Sequence, residues 1–332
     1  MKLQLLTQCI AVSALSLTLS SQAQAIDIAR PEVRAFIDKM VNTHQFNRTE
    51  VERDLKSAET IQSILTAISK PAEKTIPWFE YRERFLIEKR INLGKSFRQE
   101  HQAILETLAA QGAPVPEILA ILGVETFYGQ NTGRYRVLDA LATLGFDYPP
   151  RSDFFLSELE QLFLLSRELK LSVTQPLGSY AGAMGSPQFM PHSYRQFAVD
   201  GNADGKVDLW ASWDDVLASI ANYLKQNGWH SGEPVLAEAQ LSSSDTSLFT
   251  IGDVTLNETV HSLKAKGVRF STSLSDSAPA VLIALQGKDG PEYRVGFNNF
   301  YVITRYNRSP LYANAVYDLG QAITATETNS AQ

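Results

Sequence analysis

A mainly α protein with a small β part, of the α+β kind, is what this chain of 332 residues predicts, on three grounds. Apolar residues recur at helical spacing through most of it, as at Val33, Phe36, Ile37 and Met40 and again at Ile61, Ile64, Leu65 and Ile68. Between residues 231 and 300 this period gives way to short runs such as "AVLIAL" and "EYRVGF", while Ser, Thr, Asp and Gly rise around them. The helical pattern then returns from Leu311 to Ile323.

Residues 1–25 stand apart. Lys2 supplies a short positive start, and Leu5 to Leu19 an apolar stretch too short and too interrupted to span a bilayer. Ala23-Gln24-Ala25 has the small-x-small form of a leader-peptidase site. The sequence therefore predicts an exported protein cut after Ala25. Cys9, the only cysteine, lies inside this leader, and the residue before it, Gln8, is not the small residue that a lipidation signal needs. The mature chain is then expected to be neither lipidated nor disulfide-bonded, with no direct membrane anchor. An oxidising compartment suits it, because a stray thiol is a liability there.

Residues 26–111 read as a helical domain, joined from the far end of the chain by a helix over 309–324. The helix through Ile61 and Ile68 ends at Lys70-Pro71, since a residue before proline avoids the helical region. The aromatic and charged "IPWFEYRERF" comes next, then a long helix from about Gly94 to Gln111. Residues 112–230 form a second helical unit. "APVPEILAILGVET" opens with prolines suited to a first turn. "SDFFLSELEQLFLLSREL" gives another helix, with Ser152 or Asp153 as its N-cap. "LASIANYLKQNGW" gives a third, stopped by Gly228. In the β part, residues 231–308, "AVLIAL", the turn "GKDG" and "EYRVGF" read as a hairpin and "FYVITRY" as a following strand. Residues 325–332 are expected to be disordered.

Charge excludes one class of partner. The chain has 30 Lys and Arg against 36 Asp and Glu, a net of −6, which becomes −7 once Lys2 leaves with the leader. There is no basic block, and a nucleic acid backbone demands clustered Lys and Arg. The five His include none at zinc-ligand spacing, and nothing calls for an organic cofactor.

The run "GVETFYG" places Glu125 at the end of an apolar helix. A helix C-terminus carries partial negative charge, so a carboxylate there is disfavoured. Apolar neighbours act in the same direction, and both effects raise the pKa. A Glu kept protonated near neutral pH is what a general acid needs. Taken alone, Glu125 reads first as an ordinary exposed acid at a helix end, forming a surface pair. The stretch "GSYAGAMGSPQFMP" adds weight, because its glycines and small residues let backbone approach a ligand closely while Gln188 offers an amide. A tight helix–helix contact is the alternative there. Aromatic residues lie near polar ones at Trp78, Tyr81, Tyr128, Tyr148, Tyr223, Trp229, Tyr301, Tyr306 and Tyr312. Sugar rings stack on such planes, although most aromatics serve as core.

Together, "PWFEYR", "ILGVETFYG", "LDALATLGFDYP", "GSYAGAMGSPQFMPHSY", "DGNADGKVDLW", "ANYLKQNGW" and "FYVITRYNRSPLYA" resemble the lytic murein transglycosylases of the B type, glycoside hydrolase family 103. The likeness runs in order from Pro77 to Ala313. It implies a lysozyme-like helical core over residues 112–230, flanked by a helical domain and a small inserted β domain. It implies cleavage of the β-1,4 bond between N-acetylmuramic acid and N-acetylglucosamine, leaving a 1,6-anhydromuramoyl end. The partners implied are peptidoglycan glycan strands in the periplasm, and other cell-wall enzymes. The resemblance makes Glu125 the catalytic residue, acid first and then base. It places Ser179 and Gln188 against sugar or the catalytic carboxylate, and Tyr81, Tyr223, Tyr306 and Tyr312 along the cleft. Arg151 follows "DYPP" where relatives carry two arginines, so Pro150 reduces the cationic contribution to substrate binding. Asp139 and Asp147, the nearest downstream acids, are not expected to be second catalysts. His192 reads as a surface residue.

"DGNADGKVDLW" opens like an EF-hand loop, with Asp200, Asn202 and Asp204 at alternate positions before Gly205. Lys206 stands at the seventh position, which serves through its carbonyl, and Asp208 at the ninth. The twelfth should be Glu but is Ala211; the acid comes later, at Asp214 or Asp215, and an extended loop over residues 200–215 would let Asp215 close it. The expectation is a structural Ca²⁺; an Asx-rich turn without an ion is the alternative. Two other functions fit the same residues: a hydrolytic muramidase, which would leave a reducing end, and a non-catalytic wall-binding scaffold in which Glu125 is structural.

Overall fold

Helices account for most of this computed structural model, which describes residues 24–69, 76–241 and 254–325. The leader through residue 23, the helix end at Lys70-Pro71 and the tail 326–332 lie outside the described residues. At the N-terminal side, β1 (Gln24–Ala25) is followed by α1 (Pro31–His44) and α2 (Arg48–Lys56), and β2 (Glu59–Thr60) returns antiparallel to β1. Pro31 opens α1, where its missing N–H costs nothing. Val33, Phe36, Ile37 and Met40 form its buried face. Asn47 caps α2 by accepting from the Glu50 N–H. The chain continues through α3 (Gln62–Ile68), α4 (Trp78–Phe85), α5 (Glu88–Glu100) and α6 (Gln102–Ala110). The long helix expected near Gly94–Gln111 is thus two helices that meet at His101 (φ −105°, ψ 26°). Its ring packs on Phe97 at 4.2 Å and lies 5.7 Å from Trp213 at the bend.

Next come α7 (Val115–Thr126), β3 (Tyr135–Arg136), α8 (Val137–Asp147), a 3-10 turn (Pro149–Arg151), α9 (Ser152–Leu169), β4 (Leu177–Gly178), α10 (Pro191–Phe197) and α11 (Trp213–Gln226). Neither Ser152 nor Asp153 caps α9. The 3-10 turn makes Arg151 the boundary residue, with no side-chain cap, and the Ser152 hydroxyl donates instead to the Gly145 carbonyl. Ser212 caps α11 by accepting from Asp215 N–H, and Gly228 follows its end at φ 93°.

The β part holds β5 (Leu236–Leu241), β6 (Glu258–Thr259), α12 (Val260–Ala265), β7 (Val268–Arg269), β8 (Pro279–Gln286) and β9 (Pro291–Gly296), in the antiparallel order β6-β8-β9-β5-β7. β8 and β9 form the expected hairpin, with Gln286 opposite Pro291 and Val281 opposite Gly296. Alternation along β8 serves two cores. Ala280 and Leu282 pack with Val260, Leu263, Val268, Val295 and Phe297, whereas Val281, Ile283 and Leu285 join the main core.

"FYVITRY" is not a strand. It lies in α13 (Asn298–Tyr306), followed by α14 (Pro310–Thr324). Its β-branched and aromatic residues favour a strand locally, but Asn299, Phe300, Val302, Ile303 and Thr304 are buried by tertiary packing, which outweighs that preference. α14 lies antiparallel along α7, since Tyr312 meets Glu125 while Gly320 sits against Pro116. A Cβ on Gly320 would stand 2.8 Å from the Pro116 carbonyl oxygen, so glycine is required for this approach. The β part docks on α14 through a buried pair. Arg294 of β9 donates to both oxygens of Asp318 at 2.8 and 3.1 Å and to Asn314 at 3.0 Å, with its guanidinium 5.5 Å from the centre of the Trp78 ring.

Candidate active site

Glu125 lies half-buried in the last turn of α7, beyond the fully buried run Ile118–Gly123 that pins the helix. The helix stops abruptly after it. Phe127, Tyr128 and Gly129 have φ of 54°, 58° and 80°, three left-handed residues in succession, and only the glycine adopts this freely. Backbone strain of this kind concentrates at functional sites. The buried Thr126 hydroxyl secures the turn, donating to the Ser186 carbonyl at 2.8 Å and accepting from the Gly129 N–H at 3.0 Å. Thr126 is not singled out by the sequence; its only signal is its place beside Glu125.

Tyr312, in the first turn of α14, donates its hydroxyl to Glu125 Oε1 at 2.7 Å. Tyr306, the last residue of α13, lies nearly parallel to Tyr312, with centroids 6.5 Å apart and planes 13° apart. Tyr223 of α11 packs on Tyr306 at 4.7 Å, and Phe189 lies 5.8 Å from Tyr306 and 5.6 Å from Tyr223. The Tyr306 hydroxyl donates to the Pro187 carbonyl and that of Tyr223 to the Arg305 carbonyl, both at 2.6 Å. Tyr81 is buried on α4, packs on Phe85 at 5.0 Å and lies near enough to Tyr312 to influence its ionisation. Burial, and then the charge of Glu125, hold the Tyr306 and Tyr312 phenols well above their ordinary pKa. Burial pushes Tyr223 up to about 12. These phenols stay protonated at neutral pH, so Tyr312 is a standing donor to the carboxylate.

The glycine-rich loop closes one side. Gly178 bridges to Met184, and Met184 to Phe189. A Cβ on Gly178 would lie 2.1 Å from the Ala183 carbonyl oxygen. Ser179 Oγ accepts from the N–H groups of Ala181 and Ala183 at 3.2 and 3.0 Å and so shapes the turn. Gln188 adopts φ 55°, and its amide donates to the carbonyls of Thr132 and Gly185 at 3.0 and 2.9 Å. It follows Pro187, the acceptor for Tyr306, which ties the loop to the tyrosines.

The other candidates lie elsewhere. Arg151 packs over Phe154 and Phe155 at 4.4 and 5.0 Å, at the head of α9. His192 is exposed, and its backbone N–H donates to Glu158. Arg136 grips Asp139 at 2.7 and 2.8 Å, and Asp147 takes Arg30 and Thr60, each at 2.8 Å.

The loop ahead of α11 gathers oxygen donors. Asp200 Oδ1 and Asn202 Oδ1 both accept from the Asp204 N–H, at 3.2 and 3.0 Å, and Asp200 Oδ2 accepts from Gly205 at 2.7 Å. Asp204 accepts from the Lys206 N–H at 2.9 Å, and Asp208 from Trp210 and Ala211 at 2.8 and 3.0 Å. Asp215 is buried, and its two oxygens take the N–H groups of Gly201 and Asp208, each at 2.8 Å. It closes the loop by hydrogen bonds. Among the described residues no three His, Cys, Asp or Glu side chains gather as a metal-binding group. Hard oxygen donors at Asp200, Asn202, Asp204 and Asp208, with the Lys206 carbonyl, nevertheless suit calcium in chemistry.

The α+β fold sets one half-buried carboxylate against a tyrosine hydroxyl beside a glycine-rich loop, an arrangement suited to proton transfer. Residues 29–321 match the family model for the transglycosylase SLT domain. The membrane-bound lytic murein transglycosylase B of Escherichia coli is 37% identical over 305 residues, covering 88% of this chain and 82% of the relative. Among solved structures, the catenated lytic transglycosylase SltB1 of Pseudomonas aeruginosa superposes with a TM-score of 0.85 at 44% identity, covering 89% of this chain and 97% of that one. The Escherichia coli lytic transglycosylase Slt35, in complex with calcium, superposes at 0.80 and 36%, covering 91% and 95%. The chain belongs to the transglycosylase SLT-domain family, and it is a lytic murein transglycosylase, a lyase that acts on peptidoglycan.

Proposed function

We propose that Glu125 carries out both proton transfers of this reaction. The observation that supports it most is the Tyr312–Glu125 hydrogen bond at 2.7 Å within the tyrosine cluster. Protonated Glu125 gives its proton to the glycosidic oxygen as the bond to C1 of N-acetylmuramic acid breaks. The N-acetyl group of the same sugar stabilises the cation that develops. The Glu125 carboxylate then takes the proton of the C6 hydroxyl as that oxygen attacks C1. The 1,6-anhydro ring forms, Glu125 regains its proton and no water is consumed. One carboxylate suffices where two are usual, because the substrate supplies the nucleophile. Tyr312 orients the carboxylate. Ser179 and Gln188 shape the loop beside it, and Tyr81, Tyr223 and Tyr306 line the cleft. Arg151 contributes little to the cleavage site.

The setting we propose is the periplasm, reached by a leader cut after Ala25. Among the described residues no helix is long and apolar enough to cross a membrane. A structural Ca²⁺ bound by Asp200, Asn202, Asp204, Asp208 and the Lys206 carbonyl would stiffen the loop ahead of α11, which carries Tyr223. Digestion of sacculi with wild type and with Glu125→Gln tests the assignment. Muropeptides lighter by one water than hydrolytic products, absent from the variant digest, are expected. A reducing-end product would make the enzyme a muramidase, and release by Glu125→Gln at the wild-type rate would remove Glu125 from the chemistry.

A further inference from the structure

Helix α7 carries a second acid at its other end. Glu117 is 5% exposed, and its hydrogen-bond partner among the described residues is its own backbone N–H. It lines a cavity of about 290 Å³ where α7, α14 and the segment leading into β5 meet. Trp229 and Tyr317 provide aromatic walls, and Glu233 a second carboxylate. Neither Lys nor Arg lines the cavity. The mechanism above makes no use of this place.

A buried carboxyl without a cationic partner is costly, and evolution usually removes or pairs it. Here the side chain borders a space large enough for a small organic group. Two acids in a lining without Lys or Arg disfavour anions. An aromatic face beside carboxylates is the environment that holds an alkylammonium, through charge and through attraction to the ring. Glu233 is partly exposed, its side chain 38%, and it meets His230 Nδ1 at 2.9 Å. We infer that the Glu117–Trp229–Glu233 cavity is a binding site for a primary alkylammonium group, separate from the cleft at Glu125.

Ionisation of Glu117 gives the site a signature. Burial pushes this carboxyl up to about 7, so an ammonium must displace its proton on binding below that pH. The charged and titratable groups near Glu117 from the other elements are Glu233, which lines the cavity and meets His230, and, around Tyr317 of α14 but outside the lining, Glu238, Asp318 and Arg294. Arg294 is committed to Asp318 at 2.8 Å. Affinity should therefore rise about thirtyfold from pH 5.5 to pH 8, following the ionised fraction of Glu117.

The test is a titration of the intact protein with n-butylammonium chloride. Binding is read from the Trp229 indole N–H resonance, assigned with Trp229→Phe. Saturable shifts at pH 8 are expected, weaker at pH 5.5 and lost in Glu117→Gln, while 1-butanol and butyrate leave the resonance unmoved. Glu117→Gln should fold, because it removes a buried ionisable group, and it should release muropeptides at the wild-type rate. An N-acetylated lysine amide that binds like butylammonium makes a peptide side chain the natural source. Spermidine binding in its place points to free polyamines. Equal shifts with 1-butanol, or butylammonium binding that survives Glu117→Gln, would overturn the inference.

Discussion

The Tyr312 hydroxyl and Glu125 Oε1 meet at 2.7 Å although 187 positions separate the two residues. The contact rests on the antiparallel pairing of α7 and α14, and each element of that pairing yields a distinct expectation.

Tyr312→Phe removes a donor from the carboxylate and leaves the ring in place. A hydrogen bond to the charged form favours that form, so without it the acid keeps its proton to higher pH. The alkaline limb of the pH–rate profile is therefore expected to move upward. Turnover should fall about ten- to a hundredfold, because an unaligned acid is a poorer proton donor. Profiles of wild type and variant on the same muropeptide substrate check both effects. An unchanged limb would show that Tyr312 does not act through Glu125.

Glu117 should weaken the fold as pH rises. Its pKa in the folded state is about 7, against an ordinary value of 4.5. The folded chain therefore binds more protons than the unfolded one between those values, and stability falls with rising pH across that window. Below pH 4.5 the cost vanishes, and above pH 7 it is complete, on the order of 3 kcal/mol. Glu117→Gln is expected to be more stable than wild type at pH 8, with little difference at pH 4.5. Urea unfolding of both proteins at the two pH values measures it.

Arg294 and Arg82 both meet Asp318, yet their loss should differ. Arg294 is buried with its partner, side chains 9% and 8% exposed, whereas Arg82 is 47% exposed. Arg294→Met leaves a buried charge without its main partner and should cost about 3–5 kcal/mol. Arg82→Ala should cost about 1 kcal/mol or less. Chemical denaturation of the two variants separates them.

Removal of calcium should lower thermal stability and leave turnover in the fraction that remains folded. Asp204→Ala should mimic the chelator and be insensitive to it. Asp215→Asn should be destabilised with or without chelator, because both Asp215 oxygens hold backbone N–H groups. Melting curves with and without chelator distinguish the two kinds of acid. If chelation abolishes turnover in protein that stays folded, the ion has a chemical role.

Much of the helical framework is legible in the order of residues, because α1 and α14 carry apolar faces at the helical period and α7 is an apolar run opened by prolines. The exceptions have long-range causes. α13 is written in β-branched and aromatic residues and becomes a helix through burial of Phe300, Val302 and Ile303. At the break His101 packs beside Trp213, which comes 112 residues later in the chain. At the candidate site, Glu125 and the tyrosines follow from motif likeness, but the bond between Glu125 and Tyr312 does not, since nothing in either segment encodes the other. Glu117 illustrates the same limit. An acid in the first turn of a helix reads as an ordinary favourable end group. Its burial comes from tertiary packing, which also sets Trp229 and Tyr317 beside it around one cavity.

The helix that supplies the phenol is the final one in the described chain, α14 (Pro310–Thr324). During synthesis Glu125 leaves the ribosome well before its partner, and a product truncated ahead of Pro310 carries the acid without the group that aims it. The acid and the phenol that aims it therefore come together only once α14 has docked along α7.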